Sequence, residues 1–123
     1  MISMKRSTLV YNNAMNFQEY QEQARKTALY PEVGQNLLYP TLGLAGEAGE
    51  FANKVKKIQR DAAGEMSAEI RQSLVEELGD VLWYVSQLSS EIGSTLEQVA
   101  ERNIEKLASR KTRETLHGSG DHR

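Results

Sequence analysis

The sequence predicts an all-α fold, an antiparallel bundle of four main helices completed by oligomerisation. Apolar residues recur at spacings of three and four in four successive stretches, and none shows the period-two alternation of a strand. Short connections carrying proline, glycine or polar residues separate these stretches, and no repeat of solenoid length is present.

Asn16 followed by Glu19 reads as a capping box. Phe17, Tyr20, Ala24 and Ala28 then give the stripe of a first helix over about 16–30, stopped by Pro31. Pro40 suits the first turn of a second helix over about 40–60, with Leu44, Ala48, Phe51, Val55 and Ile58 on one stripe. Residues 61–67 are polar, contain Gly64 and read as a loop. Ile70, Leu74, Leu78, Val81, Leu82, Val85 and Leu88 build a third helix over about 68–92, ending near Gly93. Ser94 and Glu97 read as another capping box. They open a fourth helix over about 95–110 that carries Leu96, Val99, Ala100, Ile104 and Leu107. The resulting organisation is an N-terminal extension at 1–15, one helical domain at 16–110, and a polar tail at 111–123.

A chain of 123 residues suits one domain whose core is shared among several helices. The formal net charge of -2 lacks the basic excess of a nucleic-acid binder, so no nucleic-acid partner is expected. Cysteine is absent, which excludes disulfides, thiolate metal sites and cysteine nucleophiles, and a cytoplasmic location is expected. Neither a signal peptide nor a run of about 18 apolar residues occurs, so a soluble protein without a membrane partner is expected. The apolar positions outnumber what four short-linked helices can bury in one chain. A homodimer or homotetramer is therefore expected.

Function is written in two pairs of acids. Glu47 and Glu50 lie three apart in the second helix, Glu77 and Asp80 three apart in the third. At this spacing each pair shares a helix face and can aim its oxygens at one small volume. Antiparallel neighbours would bring the pairs together, and four carboxylates so placed repel unless a cation lies among them. A hard, oxygen-preferring divalent ion fits, Mg²⁺ or Mn²⁺, and such ions commonly share their coordination with phosphates.

A helical wheel puts Gly43, Gly46, Glu47, Glu50 and Lys54 within an arc of about 100°. Each interior glycine costs about 1 kcal/mol relative to alanine, so Gly43, Gly46 and Gly49 call for a close approach by another helix or a ligand. A lone Glu47–Glu50 pair would be read as a solvated face with an ion pair from Glu50 to Lys54. The second pair outweighs that reading, because Glu77 and Asp80 share their arc with Val81, Tyr84 and Leu88, which implies burial. Glu76 falls on the exposed side.

On the fourth helix Asn103 lies within the apolar stripe, with Lys106 and Arg110 on its border. Alone these are a hydrogen-bonded core residue and a rim of snorkelling cations. Beside a metal they are suited to phosphate oxygens. Both histidines, His117 and His122, lie in the tail, so the Glu-x-x-His pairs of di-iron bundles are missing. No P-loop is present, and no histidine is placed to activate a serine.

Residues 43–50 (Gly-Leu-Ala-Gly-Glu-Ala-Gly-Glu) with Lys54, residues 76–84 (Glu-Glu-Leu-Gly-Asp-Val-Leu-Trp-Tyr), and Asn103-Ile104-Glu105-Lys106-Leu107 with Arg110 together resemble a MazG-like nucleotide pyrophosphohydrolase. The resemblance spans about 16–110 and rests on the combination, since neither acid pair alone is specific. The closing residues 118–123 also look like the tail of small single-domain members. The resemblance implies hydrolysis of a (d)NTP between its α and β phosphates, giving (d)NMP and pyrophosphate in a nucleotide-pool or house-cleaning role. It implies Mg²⁺, replaceable by Mn²⁺, held by Glu47, Glu50, Glu77 and Asp80 as metal ligands and catalytic residues. Lys54, Asn103, Lys106 and Arg110 would contact phosphates and Tyr84 the substrate. The base would lie against the first helix and the segment around Tyr39, reached from the same or a second subunit.

Gly46 departs from the family, many members of which carry a further acid there. The general base is thereby left open between Glu47, Glu50 and water on the metal. Two alternatives stand beside this reading: phosphoribosyl-ATP pyrophosphatase, and a non-catalytic nucleotide- or protein-binding module using the acids for a structural ion.

Overall fold

The structure, a computed structural model, describes residues 14–113. The extension up to residue 13 and the tail from residue 114, with His117, His122 and the closing 118–123 motif, lie outside the described residues. The described chain is all-α, with α1 at Phe17–Lys26, α2 at Leu38–Asp61, α3 at Ala68–Glu91 and α4 at Leu96–Thr112.

Asn16 caps α1, its side chain accepting from the Glu19 N–H at 2.8 Å. The helix is shorter than expected. It ends at Lys26 because Thr27 turns back onto Ala24, both N–H and Oγ1 donating to that carbonyl, and residues 28–37 instead fold around Glu91 of α3. α2 begins before Pro40, which is buried in its first turn, and Asn36 Oδ1 accepts from the Tyr39 N–H at 3.0 Å. A tight corner with Ala63 and Gly64 at positive φ leads to α3, capped by Ser67 accepting from the Ile70 N–H at 3.1 Å. The fourth helix corrects the expected cap. Ser94 is occupied in closing α3, donating its N–H to Ser89 O at 2.8 Å, so Thr95 and Gln98, not Ser94 and Glu97, form the reciprocal capping box.

α2 and α3 form the main packed pair, and α1 and α4 pack on α3 and on each other. Register follows from three meetings: Gly43 with Tyr84, Glu47 with Asp80, and Lys54 with Ser73. Numbers rise along one helix as they fall along the other, so the pair is antiparallel. α1 lies against a buried polar patch of α3 formed by Ser86, Gln87 and Ser89, and Arg25 of α1 donates to Gln87 Oε1 at 2.8 Å. Gln21 ties α1 to the α3–α4 corner, donating to Ser90 Oγ and Ser94 O and accepting from the Leu96 N–H at 2.9 Å.

Buried apolar side chains are few: Ala24, Tyr30 and Leu96 among the described residues, with Pro40. Leu38, Leu42 and Val55 of α2, Val75 and Leu78 of α3, and Ile104 of α4 are exposed. A lone chain leaves much of the predicted stripe in contact with solvent.

Candidate metal centre

The α2–α3 register sets the site. With Glu47 beside Asp80, the carboxylates of Glu47, Glu77 and Asp80 each present an oxygen, and these lie within 4.8 Å of one another. Three of the four predicted acids therefore converge. Glu50 is exposed and stands one turn further along α2, outside this group. Burial is less complete than the wheel implies: Glu47 and Glu77 are half-buried, Asp80 exposed. Glu76 is exposed, as expected.

The electrostatics register the crowding. The Glu47 carboxyl is pushed up by burial, then by the charges of Asp80, Glu77 and Glu50. Tyr20 of α1 is raised by burial and by Asp80, so α1 borders the cluster. Tyr84 is raised by burial, then by Tyr39, Glu47 and Asp80. Lys54 does not form the local pair with Glu50. It reaches across to α3, its Nζ lying 2.8 Å from Glu77 Oε1 and donating to Ser73 Oγ at 2.6 Å. The hydrogen bond to Glu77 is the chief cause of its raised pKa.

Gly43 has the close neighbour expected of it, since a Cβ there would fall inside the Tyr84 ring. Gly46 and Gly49 do not. Nothing lies within 4 Å of a Cβ built at either, because that side of α2 faces open space in the single chain. Asn103 and Lys106 line a separate groove of about 370 Å³ with Ser94, Gln98, Val99 and Arg102, which none of the clustered acids lines. Arg110 is half-buried two turns beyond Asn103. α4 makes no packing contact with α2 among the described residues.

An aromatic row adjoins the acids. Tyr30 stacks on Tyr39 at 5.3 Å, Trp83 meets Tyr30 edge-on at 6.4 Å, and Trp83 meets Tyr84 edge-on at 5.0 Å. Trp83 Nε1 donates to Thr27 Oγ1 at 2.8 Å, which fixes the indole. The residue that organises this side is Glu91, not singled out in the sequence. Its buried carboxylate accepts from Arg25 Nη2 at 2.8 Å, Tyr30 OH at 2.7 Å, and the N–H groups of Gly34 at 2.7 Å and Asn36 at 2.6 Å. Burial alone would raise its pKa, but these four donors hold it down at about 2. A signal was available: a carboxylate in the last turn of a helix opposes the macrodipole and needs donors of its own.

A divalent cation matches this donor set, since hard ions take carboxylate oxygens and three are already convergent. Fold and cluster together define a helical protein with a carboxylate centre between two antiparallel helices. A family model, the MazG nucleotide pyrophosphohydrolase domain, matches residues 35–114, from just before α2 to the end of α4, and the chain belongs to that family. It is 50% identical over 114 residues to the Gene 37 protein of Mycobacterium phage L5, covering 89% of this chain and all of that one. It is 40% identical over 72 residues to the protein YvdC of Bacillus subtilis (strain 168), covering 54% of this chain and 68% of that one. No solved structure matches the chain. No described helix is long and apolar enough to cross a membrane.

Proposed function

We propose that the chain is a Mg²⁺-dependent nucleoside triphosphate diphosphatase that converts (d)NTP to (d)NMP and pyrophosphate in the cytoplasm. The observation that carries this is the convergence of Glu47, Glu77 and Asp80 within the stretch that matches a pyrophosphohydrolase family. Mg²⁺ held by these acids, with Glu50 completing the set, would neutralise phosphate charge and make water a better nucleophile. Glu47, at the meeting point of the acids, is placed to take the proton of the attacking water. Lys54 stands against Glu77, within the cluster where a triphosphate would be drawn. Asn103, Lys106 and Arg110 are assigned to phosphate by their motif and lie on α4. Tyr39, Trp83 and Tyr84, backed by the buried Tyr30, form an aromatic surface beside the acids, suited to a nucleobase.

The exposed apolar side chains of α2, α3 and α4 support burial against further copies, as a homodimer or homotetramer. The net charge of -2 favours a small metal-held nucleotide over a nucleic-acid partner. A panel of canonical and modified (d)NTPs, assayed for pyrophosphate release with and without Mg²⁺, tests the reading. Metal-dependent release from at least one nucleotide is expected. Binding without turnover across the panel would favour the non-catalytic module.

A further inference from the structure

Three carboxylates that meet within 4.8 Å carry up to three negative charges, and the ammonium of Lys54 lies against one of them. Lys54 offsets one of these charges, and Glu50 adds a further negative charge nearby, so the cluster stays strongly negative and open to a cation. The ammonium is held at two points on α3, Glu77 Oε1 at 2.8 Å and Ser73 Oγ at 2.6 Å. Glu77 is the more enclosed partner, its side chain 15% exposed against 37% for Lys54. A cation entering among Glu47, Glu77 and Asp80 must therefore share Glu77 with a positive charge a few ångströms away, and like charges so close in a half-buried site compete. Ser73 gives the displaced ammonium an acceptor to keep.

We propose that Lys54 is a built-in counter-ion that competes with the metal for Glu77 and holds the site's metal affinity down until phosphate arrives. When Glu77 turns to the cation, Lys54 keeps its bond to Ser73 and its charge becomes available to a phosphate oxygen. Metal and phosphate then bind cooperatively, because each removes the other's obstacle: the metal frees the lysine, and the phosphate takes it up. The phosphate half of this account rests on the function proposed above; the metal half does not.

The test is metal binding to the full-length chain without nucleotide, by calorimetry with Mn²⁺ and by luminescence titration with Tb³⁺. Lys54→Met should bind Mn²⁺ about tenfold more tightly than wild type and Tb³⁺ by a larger factor, because removing the ammonium leaves the cluster more negative. Lys54→Arg should stay within about twofold of wild type if charge, not shape, matters. Ser73→Ala keeps the lysine and the acids but removes the second acceptor, and should bind Mn²⁺ severalfold more weakly. It also decides the matter if Lys54→Met does not fold. Unchanged or weaker Mn²⁺ binding in folded Lys54→Met, unchanged binding in Ser73→Ala, or no binding at millimolar Mn²⁺ in wild type would each overturn the proposal. Tighter binding in Lys54→Met from a protein that hydrolyses no nucleotide would leave the counter-ion standing and remove the proposed function.

Discussion

Replacing Glu91 by glutamine keeps the shape of the side chain and removes the charge on which residues 28–37 are organised. The wild-type carboxylate is 1% exposed and accepts four hydrogen bonds, from Arg25, Tyr30, Gly34 and Asn36. Those donors hold its pKa at about 2 against an ordinary 4.5, a difference that corresponds to about 3 kcal/mol of folding free energy. Because the folded value lies below the unfolded one, this stabilisation is complete above about pH 4.5 and is lost as pH falls from there towards 2. A neutral amide in place of the carboxylate cannot satisfy the same four donors, and it sets an NH₂ among them. Glu91→Gln should therefore lose about 3 kcal/mol at pH 7, a drop in Tm of roughly 10 °C for a domain of this size. Urea melts of both proteins at pH 7 and pH 3, at one fixed protomer concentration, measure it. The gap should be present at pH 7 and shrink at pH 3. Equal stability at pH 7, or a gap that does not change with pH, would refute the assignment of Glu91 as the anchor of this loop.

Other consequences follow from the same geometry. Asp80→Asn should abolish Mg²⁺-dependent turnover with the helical circular dichroism unchanged, and Mg²⁺ should raise the Tm of wild type but not of this variant. Gly43→Ala drives a methyl into the Tyr84 ring and should cost about 1–3 kcal/mol in a denaturant melt. Adding Tyr84→Ala should restore part of that loss. Lys106→Ala should lower kcat/KM about a hundredfold, a larger loss than its effect on stability, if the lysine meets developing phosphate charge. Unchanged kinetics would return it to the groove it shares with Asn103.

Much of this architecture is legible in the sequence because it is local. The stripes place four helices, and the acid spacing places Glu47, Glu77 and Asp80 on facing sides of an antiparallel pair without any long-range knowledge. Gly43 is flagged only together with Gly46 and Gly49, and which of the three meets a close neighbour, Gly43 against Tyr84, depends on register. What escapes depends on partners distant in sequence. Helix α1 stops at Lys26, not near Pro31, because Glu91, in the last turn of α3, captures Tyr30, Gly34 and Asn36. Ser94 has the neighbourhood of a cap, whereas its N–H is committed to Ser89 O and Thr95 takes the role. Lys54 is equally placed on the wheel for Glu50 and for the facing helix. Only the register sends it to Glu77 and Ser73.

The central claim is that this chain cleaves the α–β bond of a nucleoside triphosphate. Hydrolysis in ¹⁸O-water with Mg²⁺, read by mass spectrometry of every phosphate product, addresses it most directly. Nucleoside monophosphate carrying the label, together with unlabelled pyrophosphate, is the expected result. Labelled orthophosphate with nucleoside diphosphate as co-product would contradict it.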